Sequence, residues 1–419
     1  MRDLPTPAQP SSSMCATPTH DAFEQARKLF LEGLQDFEQG RFDAAERCFQ
    51  ASLALLPGRV STLVNLAATQ LKLLRPQEAL ATAQQVLSLE AGNADAWFHK
   101  ASALGQLNRH QEALLSYEKS LALAPPGAAE PWLRHGQTLQ ALDQPARALA
   151  SYERALAADP GLAQAWSNRG GILREMKRHE EAAEAFRQAM AHGADPELHR
   201  YYLASVSAQP VPPSAPGHYV ETLFDDYAEQ FDAHLVGVLG YRAHSTLARH
   251  LAELGRGPFR STLDLGCGTG LCAPFLKPMT QRLAGVDLSS LMLEKAQALG
   301  LYDRLVHAEI VDHLQDTDER YDLVTAADVF IYVGDLEPVF AALGRAMEPH
   351  GLFCFSAECT ASEAADFELL PSLRYAQSER YLRTLAARHG FDLLQLVRAP
   401  IREDQREPIQ GMYVYLARR

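Results

Sequence analysis

Between Ala26 and Pro196 the apolar positions follow a helical period, and the whole pattern repeats. Gly33, Ala67, Ala101, Gly136 and Gly170 occupy one small-residue position, spaced 34, 34, 35 and 34 residues apart. Twelve residues after each stands an alanine: Ala45, Ala79, Ala113, Ala148 and Ala182. Four further on come Phe49, Ala83, Tyr117, Tyr152 and Phe186, large in every unit but the second. Prolines fall near the ends of units at Pro57, Pro125 and Pro160, and Trp97, Trp132 and Trp166 precede the small residue in the last three. Each unit is predicted to be a pair of helices. Small residues let the helices approach, the large residue fills the gap between units, and proline stops or opens a helix. One pair cannot bury its apolar face, so the units must stack. The expected units are 26–59, 60–93, 94–127, 129–162 and 163–196.

Glu197 to Ala208 predicts a closing helix on Leu198, Tyr201, Tyr202 and Val206, with a more polar far face that suits the cap of a stacked array. The run 209–217 holds four prolines and predicts an extended linker. Residues 21–208 thus form an all-α solenoid with its cap, and 218–419 a second domain. Residues 1–20 are rich in Pro, Ser and Thr, lack the apolar stretch of a secretory signal, and are expected to be a disordered tail.

The second half changes period. Phe224, Tyr227, Ala228, Phe231 and Leu235 share one face of a predicted helix over Tyr219 to Leu235, with Asp225, Asp226, Glu229 and Asp232 largely on the other. Tyr241 to Leu254 predicts another helix. From Ser261 onward strands and helices alternate, as a parallel sheet requires. The predicted strands are Ser261–Leu265, Arg282–Asp287, Leu305–Ala308, Tyr321–Asp328, Gly351–Glu358, Phe391–Val397 and Gln410–Ala417.

The first of these strands leads into Leu263-Asp264-Leu265-Gly266-Cys267-Gly268-Thr269-Gly270, with a helix expected from Leu271. Glycines suit positive φ and close approach of a ligand to the backbone. Unpaired N–H groups at a helix start favour polar ligand groups. The spacing is neither G-x-G-x-x-G nor a phosphate loop. It closely resembles the first motif of class I S-adenosylmethionine-dependent methyltransferases (type 11/12-like). The period and residue pattern of the first half resemble the tetratricopeptide repeat. Together the resemblances imply a tetratricopeptide solenoid followed by an α/β Rossmann-like methyltransferase sheet whose last strand is antiparallel.

The methyltransferase resemblance implies S-adenosylmethionine as cofactor, over Asp264, Gly266, Cys267, Gly268 and Gly270. Asp287, 23 residues after Asp264, ends the second strand, where a carboxylate can accept from both ribose hydroxyls. Gly285-Val286-Asp287-Leu288-Ser289 resembles the second motif, with Ser289 as a helix cap and Leu288 and Met292 against the adenine. Glu309 and Ile310 stand where the family places an acidic residue near the adenine amino group, with Asp312 as a rival. Phe224 to Asp232 resembles the leading helix that folds over the cofactor, with Tyr227 or Phe231 lining the methionine end. Asp328 falls at the carboxyl end of the fourth strand, on the expected rim. Asp328, His313 and Tyr332 are the candidate bases. The stretch Cys359–Ser378 is expected to cover the acceptor or to form a surface loop.

Composition narrows the picture. A net charge of −13 disfavours nucleic acid as a partner, and no run of about eighteen apolar residues suggests a membrane span. Cys15, Cys48, Cys267, Cys272, Cys354 and Cys359 make no metal-binding spacing, and scattered thiols suit a reducing, cytoplasmic setting. The repeats imply a protein or peptide partner on their concave face, with Asn65, Lys100, Arg134, Asn168 and Arg169 as candidate contacts. The expected function is methyl transfer with the repeats recruiting a partner or substrate. Alternatives are an interaction scaffold whose methyltransferase-like domain is an S-adenosylmethionine-binding or inactive module, and a small-molecule methyltransferase whose repeats serve only localisation or assembly.

Overall fold

The structure is a computed structural model that describes residues 20–125, 127–237, 239–404 and 407–419. The tail expected to be disordered, Cys15 included, lies outside them except for His20, which opens the first helix. The chain divides into two compact units between Ile172 and Leu173.

The first unit is a succession of helix pairs. They are α1 (His20–Glu38) with α2 (Phe42–Leu55), α3 (Val60–Lys72) with α4 (Pro76–Leu89), and α5 (Ala94–Gln106) with α6 (His110–Leu123). A fourth pair, α7 (Ala129–Ala141) with α8 (Pro145–Ala158), is followed by α9 (Ala163–Glu175), in which the unit ends. The periodic alanines Ala45, Ala79, Ala113 and Ala148 are fully buried. A Cβ on Gly33 would stand 2.7 Å from Phe49 Cε1, and one on Gly136 2.5 Å from Tyr152 Cε1. The large residue therefore rests first on the glycine of its own pair, where a gap between units was expected. Phe49 reaches the next pair as well, through a cluster with Leu66. The turn inside each pair has one residue at positive φ: Gly40, Leu74, Asn108 and Asp143. Only glycine takes that conformation freely; elsewhere the stacked helices impose it at a cost of about 1 kcal/mol.

The second unit begins with the end of α9, then α10 (His179–Ala191) and α11 (Pro196–Val206). Its sheet contains β1 (Phe259–Leu265), β2 (Thr280–Asp287), β3 (Arg304–His307), β4 (Tyr321–Ala326) and β5 (Met347–Cys359), all parallel, in the order β3-β2-β1-β4-β5. A hairpin of β6 (Phe367–Leu369) and β7 (Tyr375–Gln377) joins β5 at Glu358 and Cys359, beyond the end of β4. A second hairpin, β8 (Phe391–Asp404) and β9 (Glu407–Arg418), places β9 antiparallel along β5. The central strands are almost continuously buried because both faces are covered, and the polar Thr262, Asp264 and Thr325 are buried with the rest. The helices of this unit are α12 (Gly217–Tyr227), α13 (Phe231–Gly237), α14 (Ala243–Glu253), α15 (Ala273–Leu276), α16 (Ser290–Ala298), α17 (Ile310–Asp316), α18 (Glu337–Ala346) and α19 (Glu379–Arg388).

Five expectations are corrected. The helix over Tyr219 to Leu235 is broken into α12 and α13 by a turn at 228–230. The helix after the glycine turn, α15, is a single turn, because Pro278 lacks the N–H that would continue it, whereas Pro274 sits harmlessly at its start. Its dipole is correspondingly small and adds little positive charge beside the glycine turn. Tyr201 on the expected cap α11 is fully buried against Tyr375, with ring centroids 6.1 Å apart, and it belongs to a cluster with Ala204, Ala215, Leu369 and Leu373. The expected linker 209–217 is tied down: Pro213 O accepts from Gly334 and Asp335 N–H at 2.9 and 2.8 Å, and Ala215 N–H donates to Tyr332 O at 2.9 Å. Within Cys359–Ser378, the surface-loop alternative gives way over 367–377 to the β6–β7 hairpin.

Candidate active site

β1 has β2 on one side and β4 on the other, and the chain crosses over in opposite directions from it. Beyond the carboxyl ends of such a pair the connecting loops diverge and leave a crevice. A cavity of about 540 Å³ occupies this place, roofed by α12 and α13.

The glycines of the turn differ in role. Gly266 has φ +58° and would put a Cβ 2.6 Å from Val329 Cγ2. Gly268 has φ +53° and faces open space, with nothing within 4 Å of a Cβ placed there. Gly270 does not line the cavity; its Cβ would strike Leu299 Cδ1 at 2.7 Å, so this glycine serves packing against α16. Cys267 is buried, and that burial pushes its thiol well above the usual range. It lines the cavity as a small inert side chain.

Asp287 ends β2 with each oxygen already accepting one N–H: Gly268 at 2.8 Å and Ser289 at 2.9 Å. Burial raises its pKa, and the N–H groups and His307 oppose that rise. The remaining lone pairs can serve a ligand's hydroxyls. Asp264, fully buried, accepts from the Tyr302 hydroxyl at 2.7 Å and from Thr325 Oγ1 at 2.9 Å. Burial pushes its pKa up to about 6. Leu288, Met292 and Ile310 line the cavity beside Asp287. Glu309 also lines it, while its Oε2 caps α17 through Val311 and Asp312 N–H at 2.6 and 3.1 Å. Asp312 is not among the lining residues.

Tyr227 and Phe231 both line the roof, and their rings meet edge to face at 5.6 Å. Two of the acidic residues placed on the face opposite the apolar one bond to side chains beside the cavity. Asp225 accepts from Ser289 Oγ at 2.5 Å and Asp232 from Thr269 Oγ1 at 2.6 Å. These bonds latch the roof to the glycine turn and to α16.

The three candidate bases fare differently. Asp328 lines the cavity at φ +61°, and both its oxygens accept from Arg402 Nη1 at 2.7 and 2.8 Å. Arg402 also bonds Glu358, so a buried guanidinium bridges two carboxylates. Tyr332 lines the cavity, and burial pushes its hydroxyl up to about 12, so it holds its proton at neutral pH. His313 sits on α17 outside the cavity, where burial lowers its imidazole. Sequence reasoning missed three participants, His234, Arg402 and Glu358, and placed Arg374 only within the stretch expected to cover the acceptor. His234 lines the cavity with Nδ1 buried and unbonded among the described residues. None of the four lies in a motif, and Arg402 falls beyond the strand predicted to stop at Val397.

The candidate partner contacts sit on the first helices of their pairs. Each is engaged locally. Asn65 donates to Ser61 O, and Lys100 lies 4.8 Å from the Trp97 ring. Arg134 pairs with Glu130, Asn168 accepts from Gln164, and Arg169 lies over Trp166 and near Glu153.

Residues 263–355, spanning the glycine turn, Asp287 and β4, match the family model of a methyltransferase domain. Residues 64–128 and 133–197 match that of the tetratricopeptide repeat. The chain carries a methyltransferase domain behind tetratricopeptide repeats. Similar proteins include human "Methyltransferase-like protein 27", 44% identical over 85 residues that make up 20% of this chain and 34% of that one. A "Ubiquinone biosynthesis O-methyltransferase" of Alkalilimnicola ehrlichii is 34% identical over 101 residues, 23% of this chain and 41% of its own length. A "Malonyl-[acyl-carrier protein] O-methyltransferase" of Hamiltonella defensa is 33% identical over 94 residues, 22% and 36% of the two chains. The chain thus spans less than half the length of these curated relatives. The cavity of the methyltransferase domain fits S-adenosylmethionine. A carboxylate stands at the end of β2, and the turn at Gly268 forms a cradle that any Cβ would begin to fill. No helix among the described residues is long and apolar enough to cross a membrane.

Proposed function

We propose that the protein is an S-adenosylmethionine-dependent methyltransferase whose repeats recruit a protein partner or substrate. The observation that carries this reading is the cavity at the β1/β4 crossover, where Asp287 and the open Gly268 turn face the same space. When bound, S-adenosylmethionine supplies an electrophilic methyl group. Asp287 would hold the ribose hydroxyls, Leu288, Met292 and Ile310 the adenine face, and Gly266, Cys267 and Gly268 the methionyl arm. Asp264 supports the turn from beneath through Tyr302 and Thr325. Glu309 would meet the adenine amino group with the oxygen that does not cap α17. Tyr227 and Phe231 would exclude water, which leaves positioning as the main source of acceleration.

For an acceptor that must lose a proton, His234 is better placed than the three bases expected from sequence. Its Nδ1 is unbonded and its ring borders the cavity. Asp328 is engaged by Arg402, and Tyr332 holds its own proton. Asn65, Lys100, Arg134, Asn168 and Arg169 remain the proposed partner contacts, because they repeat on successive first helices.

Calorimetry of the full-length protein with S-adenosylmethionine and S-adenosylhomocysteine tests the reading. Binding of both, weakened about tenfold or more by Asp287→Ala, is expected. Failure of both to bind ends the proposal. Incubation of labelled S-adenosylmethionine with a cell extract tests recruitment. A labelled protein band that disappears when Lys100, Arg134 and Arg169 are changed to Glu supports it, and an unchanged band removes it.

A further inference from the structure

We propose that Arg374 sets acceptor specificity by binding a carboxylate carried by the methyl acceptor. This rests on the methyltransferase reading above. Two cationic side chains line the cavity, Arg374 and Arg402. Arg402 is neutralised by Asp328 and Glu358. Among the described residues no hydrogen bond or ion pair engages the Arg374 guanidinium, although the residue is half-buried. A partly desolvated guanidinium calls for a planar anion, and its fork matches a carboxylate in bidentate fashion. The Arg374 donors have no partner among the described residues, while its charge already acts on Glu358, one of the two carboxylates that share Arg402, so it matches a monoanion at most. A phosphate dianion would be left with buried excess charge.

The position of Arg374 separates it from the nucleoside end. Glu309 and Asp287 follow β3 and β2, on one side of the glycine turn. Arg374 immediately precedes β7, which pairs with β5, and the next residue donates from Tyr375 N to Ile331 O at 2.8 Å. The guanidinium thus enters from above the carboxyl end of β4, on the other side of that turn. Tyr332, Ile331 and Phe224 line this end, with the Tyr332 ring edge-on to Phe224 at 5.5 Å. They offer an apolar bed for the body of an acid.

The backbone that presents Arg374 is held on both sides. Leu373 adopts φ +62°, a conformation that leucine reaches only under constraint. Its carbonyl accepts from the Tyr201 hydroxyl at 2.5 Å, and Arg374 O accepts from Leu370 N at 2.8 Å. Tyr201 is therefore a positioning residue for the guanidinium.

The carboxylate could also belong to the amino-acid arm of the cofactor, and the test separates the two sources. Full-length wild-type protein and Arg374→Met are titrated with S-adenosylhomocysteine. Each is then titrated with benzoate and octanoate, and with benzamide and octanamide, with and without S-adenosylhomocysteine. Wild-type protein should bind at least one acid about tenfold tighter than its amide, Arg374→Met should lose that preference, and Arg374→Lys should keep part of it. S-adenosylhomocysteine should bind Arg374→Met within about twofold of wild type. A loss of S-adenosylhomocysteine affinity in Arg374→Met would assign the guanidinium to the cofactor and overturn the proposal. So would an acid preference that survives the substitution, or its absence in wild type. If S-adenosylhomocysteine binds neither protein, the methyltransferase reading fails, and the acid-against-amide comparison still decides the role of Arg374. Equal thermal midpoints for wild type and Arg374→Met would show that the variant folds. Tyr201→Phe should reduce the acid preference without changing S-adenosylhomocysteine affinity.

Discussion

The hydroxyl of Tyr201 donates to the carbonyl oxygen of Leu373 at 2.5 Å, and both residues are buried. The bond ties α11 to the turn that precedes Arg374. A helix that reads in sequence as the end of the repeats is thereby part of the methyltransferase unit. Pro212, Pro213 and Ala215 complete the attachment through backbone bonds to the Tyr332–Asp335 loop and the Tyr375 hydroxyl.

This attachment predicts where the second unit can be cut. A fragment from Asp195 to Arg419 keeps α11 and the cap that Asp195 provides to it. A fragment from Gly217 loses the buried Tyr201 side chain and its bond, worth about 3 kcal/mol or more together. The shorter fragment should unfold at clearly lower urea. Coincident transitions would show that α11 contributes nothing.

Two glycines of the turn, Gly268 and Gly270, should separate stability from binding. Gly268→Ala faces open space, so its main structural cost is the positive φ, about 1–2 kcal/mol. Its methyl group would enter the cradle, and S-adenosylhomocysteine affinity should fall by more than the stability does. Gly270→Ala collides with Leu299 and Tyr302 away from the cavity, so stability should fall further, by about 2–4 kcal/mol, with less effect on affinity in the folded fraction. Thermal melts beside calorimetry decide, and identical profiles for the two variants would refute the division of roles.

Asp264 should make stability depend on pH in an unusual direction. Burial lifts its pKa from 3.8 to about 6, so between those values the folded chain holds a proton that the unfolded chain has lost. Its contribution therefore falls as pH rises through that window, by a total of ~3 kcal/mol, and is most favourable below the unfolded value. Asp264→Asn has no such titration. The stability of the variant relative to wild type should rise from pH 4 to pH 6.5 in urea unfolding, and parallel curves would contradict the assignment.

The bridge of Arg402 between Asp328 and Glu358 should be sensitive to loss of its centre. Arg402→Met leaves two carboxylates facing each other in a buried site, at a cost of about 3–5 kcal/mol. Arg402→Lys should restore only part, because one ammonium cannot reproduce the fork that reaches both partners. The deficit should shrink in acid as Glu358, whose pKa burial has raised, takes up a proton. A Met variant as stable as wild type at pH 7 would remove the bridge from the account.

The parts of the site that could be read in advance are those made by local chain geometry. The turn Gly266–Gly268, Asp287 at the end of a strand and the Ser289 cap each follow from a few consecutive residues. Tyr227, Leu288, Met292 and Ile310 were legible through the methyltransferase motifs they fall in or beside, and all four line the cavity. Gly270 was read as a ligand contact because spacing alone cannot distinguish a glycine that admits a ligand from one that admits Leu299. His313 was misplaced because a histidine near a strand end carries no mark of which face of α17 it will occupy.

By itself the sequence determined the repeat, the alternation of strands and helices, and the glycine turn after β1. Each rests on periodic burial or on backbone freedom, which act over a few residues and leave a trace in spacing. Tertiary structure alone decided that α11 and the proline run join the second unit, that Asp225 and Asp232 latch the roof inward, and that Arg402 claims Asp328. It also put Arg374 in the cavity. These depend on pairs such as Tyr201 with Leu373, 172 residues apart, whose free energy comes from burial and hydrogen bonding across the fold and leaves no periodic signature in the chain.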